Sequence, residues 1–280
     1  MKGDLSGYAD DNKAYIRLKE ELDWLVMQSI INNIDIWSDV WQLTLNGDKT
    51  FLLKVGRFQD LIYYLENKPI VPVTKTLDLG ITVQSDLKFH SHCLELKRRA
   101  NYALRCINLS FTGHSSQFLI NLYTMYVRPI LENNSVVFSP HFIQDINNIE
   151  SVQKRFTKYL PGMYDLAYND RLVALNLDSL EVRRFKSDLV LTFKICNNMS
   201  HLKFGDFFEY CTTSTRGHTF KLKKHYTRTD VFKYFFCNRV VDSWNDLSQE
   251  CVSSPSVNVF KNNINKIDFS RLCRGTAVNE

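Results

Sequence analysis

Between residues 19 and 41 the apolar side chains fall at Leu22, Leu25, Val26, Ile30, Ile34, Trp37 and Trp41. Spacings of three and four put them on one stripe, which predicts an amphipathic helix. Asn46-Gly47-Asp48 marks a turn, and residues 50–55 predict a short, largely buried strand in a hairpin-like region. Residues 58–76 mix aromatics with Pro69 and Pro72, and residues 77–83 then alternate as another strand. Beyond this point the period becomes helical. Leu94, Ala100, Ala103, Leu104 and Ile107 predict one helix. A second runs through Phe118, Leu122, Tyr126 and Ile130, with Pro129 placed to kink it, and a third through Ile149, Val152, Phe156 and Leu160. Pro161-Gly162 stops the pattern, and helical texture resumes from Leu172 to Leu180 and from Phe185 to Phe193. Residues 212–219 read as a polar loop, and a last helical stretch at 257–267 leads into a tail expected to fray.

At 280 residues and 44% hydrophobic, the chain has enough apolar material for packed cores in one or two domains. No run of about 18 apolar residues occurs, and residues 1–13 hold no apolar stretch that fits a signal peptide. The expectation is a soluble, intracellular protein of the nucleus or cytoplasm. Its seven cysteines are widely spaced, with no C-x-x-C pair, so buried free thiols are expected rather than a zinc knuckle; Cys196, His201 and Cys211 are the one weak metal candidate.

The net charge of +5 conceals an asymmetry. Residues 1–48 carry nine acidic side chains against four basic ones, a net of −5, which leaves +10 for the remainder. Acid at one end of a basic body suits a metal-dependent enzyme acting on a polyanion, and equally an acidic helix ahead of an ordinary basic domain. At the acidic end stands Tyr8-Ala9-Asp10-Asp11. Adjacent carboxylates repel, so such a pair is either solvated or neutralised by a divalent cation. At the basic end Arg216, Lys221, Lys223, Lys224 and Arg228 are interleaved with Phe220, Tyr226 and Phe232, a pattern that can follow phosphates and stack on unpaired bases. Phe235 and Phe236 fit a core role better. Lys97, Arg98, Arg99 and Arg105 form a second basic set, which reads either as a nucleic-acid contact or as an exposed helix face.

Tyr8-Ala9-Asp10-Asp11 resembles the motif C hairpin of reverse transcriptases, and the blocks after it continue the pattern of non-long-terminal-repeat, jockey-like retrotransposons. Trp41-Gln42-Leu43-Thr44-Leu45-Asn46 with Lys49-Thr50 is similar to motif D, and Leu79-Gly80-Ile81 with Asp86-Leu87-Lys88-Phe89 and His92 to motif E, the primer grip. Tyr126-Val127-Arg128-Pro129-Ile130-Leu131-Glu132 and Ile149-Glu150-Ser151-Val152-Gln153-Lys154-Arg155-Phe156-Thr157 resemble thumb blocks. So do Tyr168 with Arg171-Leu172, Leu175-Asn176-Leu177, Ser179-Leu180-Glu181 and Arg183-Arg184. Thr215-Arg216-Gly217-His218, Phe235-Phe236 with Arg239-Val240, Trp244-Asn245-Asp246-Leu247 and Ser256-Val257 with Phe260-Lys261 extend the likeness toward the C-terminus.

The resemblance implies an α+β fold: a partial polymerase palm sheet over 1–92, a mainly helical thumb over 93–165 and a helix-rich C-terminal region over 166–280. It implies RNA-directed DNA polymerisation on an RNA template and DNA primer with Mg2+, Asp10 and Asp11 as metal ligands, and Lys49 near the triphosphate. A solvated turn lysine is the alternative for Lys49. The motif A aspartate, motif B and the fingers have no counterpart in this sequence. Gly3-Asp4-Leu5-Ser6-Gly7 is a poor central strand. The expectation is an incomplete polymerase, inactive by itself, completed by an upstream polymerase segment. A stand-alone nucleic-acid-binding module and a pseudogene-like product are the alternatives.

Overall fold

The computed structural model describes residues 4–9, 11–20, 22–56, 61–212 and 217–275, and the chain is α+β. It divides into two compact units, Met1–Leu87 and Lys88–Glu280.

In the first unit, β1 (Asp4–Tyr8) and β2 (Asp11–Tyr15) form an antiparallel hairpin with Tyr8 opposite Asp11. The glycine-bearing strand therefore forms, but as an exposed ribbon with one partner rather than a buried central strand. The long helix α1 (Asp23–Val40) follows. Asp23 accepts from the backbone N–H groups of Lys19 (2.6 Å) and Glu20 (2.9 Å), and these donors hold its carboxyl below the usual range. The face α1 buries is not the predicted stripe. Met27 and Ser38 are buried and Trp24 and Ile31 pack inward, whereas Leu25, Trp37 and Trp41 stay exposed. Gln28 gives the reason, because its amide donates to the Tyr64 carbonyl (2.8 Å) and accepts from the Tyr64 N–H (2.9 Å). That two-way clasp turns the face of residues 24, 27, 28 and 31 toward Tyr63, Leu65 and Ile70.

The other strands pair in twos. β3 (Phe51–Leu53) runs parallel to β6 (Val71–Val73), and β4 (Tyr64–Leu65) antiparallel to β5 (Lys68–Pro69). Pairing on one side leaves Phe51 exposed, so β3 is less buried than its apolar run predicts. Residues 77–83 form two strands rather than one: β7 (Lys75–Asp78) turns back into antiparallel β8 (Ile81–Gln84). The turn residues Leu79 and Gly80 have φ of 46° and 84°. A two-residue turn of this kind needs positive φ at both positions, and Gly80 meets that without strain.

The second unit is helical. α2 (His90–Ser110) precedes α3 (Ser116–Leu122), which widens into a π turn at Tyr123–Val127 before α4 (Arg128–Glu132). Pro129 lacks an N–H, and the widened turn just before it replaces the predicted kink. Then come α5 (Ser135–Phe138), α6 (Ile143–Tyr159), α7 (Tyr168–Ala174) and α8 (Leu180–Cys196). The short helices α9 (Phe204–Phe207), α10 (Asp230–Lys233), α11 (Phe236–Arg239), α12 (Val241–Asn245) and α13 (Gln249–Val252) lead to α14 (Val257–Ile264). Ser115, Ser179, Thr229, Ser248 and Ser256 cap five of these helices through their hydroxyls.

Two apolar centres hold this unit. Leu96, Ala100 and Leu104 of α2 are buried with Ile149, Val152 and Phe156 of α6, where Tyr123 stacks on Phe156 at 4.3 Å. Phe193, Trp244 and Phe260 anchor the other, with Phe193 and Phe260 also 4.3 Å apart. Phe236 is buried there as expected, but Phe235 is half exposed. Several separated sequence blocks meet in the interior. Gln153 accepts from the Tyr123 hydroxyl (2.9 Å) and donates to the Asp178 carbonyl (2.9 Å) and the Tyr168 hydroxyl (3.1 Å). Tyr168 in turn donates to Glu150, which also accepts the Leu180 N–H at 3.1 Å. Among the described residues no helix is long and apolar enough to cross a membrane.

Candidate functional site

The hairpin β1–β2 turns at Ala9, whose φ of 54° is the left-handed region a tight hairpin turn demands. Tyr8 and Asp11 stand exposed at its tip; Asp10 lies outside the described residues. Lys13 of β2 pairs with Asp78 of β7, which ties the acidic hairpin to the hairpin β7–β8. The 3₁₀ turn Gly47–Lys49 is built by Asn46, whose side-chain oxygen accepts from the N–H groups of Asp48 (3.1 Å) and Lys49 (3.2 Å).

These pieces surround one open cleft of about 870 Å³ within the first unit. Asp11 and Lys49, far apart in sequence, both line it. Lys13, Lys54 and Asp78 add charge at its rim, and Met27, Ile31, Leu52 and Tyr63 make its walls apolar. The sequence reading found Asp11 and Lys49 but missed Lys13 and Asp78; their pairing joins residues 65 apart, and no local pattern announces it.

The described residues alone are short of magnesium ligands, and Asp10, the other ligand that the resemblance implies, lies outside them. Among the described residues no group of three or more His, Cys, Asp or Glu side chains could hold a metal ion. Asp11 is one exposed carboxylate at the tip, and Asp78 is engaged by Lys13. A two-cation centre needs more oxygen ligands than these residues bring together. Cys196, His201 and Cys211 form no such group either. Thiolate chemistry is disfavoured at Cys93 and Cys196, whose thiols burial pushes up to about 12. The cysteines form no disulfide among the described residues, and not all are buried, since Cys106 is exposed.

In the second unit Arg98, Arg99 and Arg105 are exposed on α2, and Lys97 is half-buried, donating to Asn148 of α6 at 2.8 Å. Arg98 pairs with Glu95 at 2.7 Å. Tyr102, which the sequence reading passed over, is 71% exposed. Its spacing from Arg98 and Arg105, four and three residues, puts all three on one helical face, and helical periodicity was the signal available to find it. Arg155 of α6 joins this surface by donating to Asn101 at 3.1 Å.

The C-terminal basic set is more dispersed. Lys223 pairs with Glu209 at 2.7 Å and Lys224 with Asp242, while Arg228 and Tyr226 are exposed. Lys221 is half-buried, and Arg216 lies outside the described residues. No protein-family model, curated protein or solved structure matches the chain.

Proposed function

We propose that this chain is the C-terminal part of an RNA-directed DNA polymerase of the non-long-terminal-repeat retrotransposon type. In this reading residues 1–92 carry a partial palm, 93–165 the thumb and 166–280 the C-terminal region, working in the nucleus or cytoplasm on an RNA template and DNA primer. The observation that carries it is the hairpin with Tyr8 and Asp11 at its tip, which shares a cleft with Lys49 and is tied to a second hairpin at Leu79-Gly80. Hairpin, helix, lysine turn and hairpin follow in the order that motifs C, D and E require. Magnesium binding belongs to the same proposal and needs carboxylates beyond those described.

A second reading, a stand-alone nucleic-acid-binding module, is favoured by Arg98, Arg99, Tyr102 and Arg105 on one exposed helix face. Cations there would neutralise phosphates, and the tyrosine offers a stacking surface.

The test has two arms. The first is fluorescence anisotropy with an RNA–DNA primer–template over a salt series. Arg98→Ala and Arg105→Ala are expected to weaken binding across all sequences and to flatten the salt slope by about one each. The second is sequencing of the transcript upstream of Met1. An open frame through a further aspartate-bearing apolar strand supports the polymerase; stop codons there, with binding retained, favour the module. Absence of salt-dependent binding sinks both.

A further inference from the structure

The sequence predicts a fraying tail after α14, yet the described part of that tail is held at three points. Phe269 is buried in the core of the second unit. Glu181, in the first turn of α8 and 4% exposed, accepts from two consecutive backbone N–H groups, Arg274 through Oε1 and Gly275 through Oε2, each at 3.0 Å. Gly275 sits against α6 where a Cβ would stand 2.4 Å from Cγ2 of Ile146 and 3.0 Å from the Asn147 side-chain oxygen. Space, rather than backbone conformation, requires glycine here.

Arg274 completes the contact. Its guanidinium lies over the Tyr234 ring, 5.4 Å from the centroid, and donates to the Tyr234 hydroxyl at 3.2 Å. Tyr234 stacks on His141 at 4.1 Å with the planes 8° apart. A buried carboxylate that meets two successive N–H groups fixes the register of the bent segment that offers them, because each oxygen is matched to one residue. An aromatic platform then selects a cation, and a closed slot selects glycine.

We propose that Glu181, Ile146, Asn147 and Tyr234 form a docking groove for a bent Arg-Gly segment, which the chain's own residues 273–275 occupy as a strap. The inference is independent of the polymerase reading. It assigns the end of the chain a recognition chemistry, main-chain hydrogen bonding with two side-chain specificities, in place of nonspecific packing.

Hydrogen exchange on the full chain provides the first test. Gly275→Val is expected to speed exchange at the Arg274 and residue-275 amides by about tenfold or more, with the α2 and α6 amides unchanged as a check of folding. Glu181→Gln, which keeps one acceptor, is expected to release the Gly275 or the Arg274 amide but not both. The second test adds a fluorescent peptide of residues 269–275 to the Gly275→Val protein, whose groove is vacated. Saturable binding there, at least about tenfold weaker to the unmutated chain and lost with Glu181→Ala, is the expected result. Unchanged strap exchange in Gly275→Val, or peptide binding no better than a scrambled sequence, overturns the proposal.

Discussion

His218 shows how one side chain joins distant sequence blocks. Its Nδ1 accepts from the Phe220 N–H at 3.1 Å, so Nε2 carries the proton and donates to the Trp244 carbonyl at 2.9 Å. Trp244 returns its indole N–H to the Phe220 carbonyl, and Asn245 exchanges two hydrogen bonds with the Leu222 backbone. The motif-like Gly217-His218 and Trp244-Asn245 thus form one clasp, and its chemistry is structural. Burial lowers the His218 pKa, since the ring is 3% exposed and a second proton would break the bond to Phe220. The unfolded chain then takes up that proton more readily than the folded one. Its contribution to stability is complete above the ordinary histidine value of about 6.5 and falls as pH drops below it. His218→Ala is expected to cost about 1–3 kcal/mol at pH 8 by stranding the Phe220 N–H. Urea titrations between pH 8 and 5 are expected to show a shallower acid slope in this variant. Some slope remains from His92 and His141, whose pKa values burial also lowers. An unchanged slope refutes the assignment.

At the scale of elements, Arg239 does for three helices what His218 does for a loop. It grips Asp188 of α8 with two bonds of 2.8 Å and donates to the carbonyls of Val136 on α5 (2.6 Å) and Tyr234 (3.1 Å). Burial pushes the Asp188 carboxyl up, and the guanidinium opposes it. Arg239→Met leaves a buried carboxylate without its partner, and a loss of about 3–5 kcal/mol is expected in chemical denaturation. The double change with Asp188→Leu is expected to recover part of it, a coupling that a double-mutant cycle reads directly. Arg239 also marks what a sequence can and cannot reveal. α2 and α6 are legible because Ala100, Leu104 and Ile107, and Ile149, Val152 and Phe156, repeat at helical spacing and all are buried, although Leu94, expected on the same face of α2, is exposed. The rotation of α1 is not, since Gln28 sets it through a strand 36 residues away. The turn at Leu79-Gly80 hides in an alternation that runs through it. In the candidate site, Asp11 and Lys49 are legible by motif, but the cleft uniting them depends on long-range pairings such as Lys13 with Asp78. The strap at Arg274-Gly275 is equally silent, because a glycine near a chain end reads as freedom until the neighbouring helix is in place.

The two units differ in how much they bury, and that difference governs how the whole molecule responds to stress. The cluster described in the first unit has four buried residues, Met27, Tyr63, Leu65 and Ile70, and among the described residues its strands pair in twos. One cluster of the second unit alone has sixteen, spread over α8, α11, α12, α13, α14 and the segments between helices. Isolated two-stranded ribbons are marginal in water, and opening energy follows buried apolar contact. The first unit is therefore expected to open at lower denaturant, giving two transitions rather than one. Native-state hydrogen exchange is expected to separate amides of β1–β8 from those of α6 and α8 by at least about 2 kcal/mol. A single cooperative transition with uniform protection contradicts this. The separation also bears on function: the cleft that holds Asp11 and Lys49 lies wholly in the weaker unit. A polymerase segment supplied separately that binds this cleft only in its folded form raises the first transition alone, by about 2.7 kcal/mol at a hundredfold excess over Kd. A ligand confined to the exposed arginines of α2 raises the second instead, so the same titration tells which of the two surfaces is engaged.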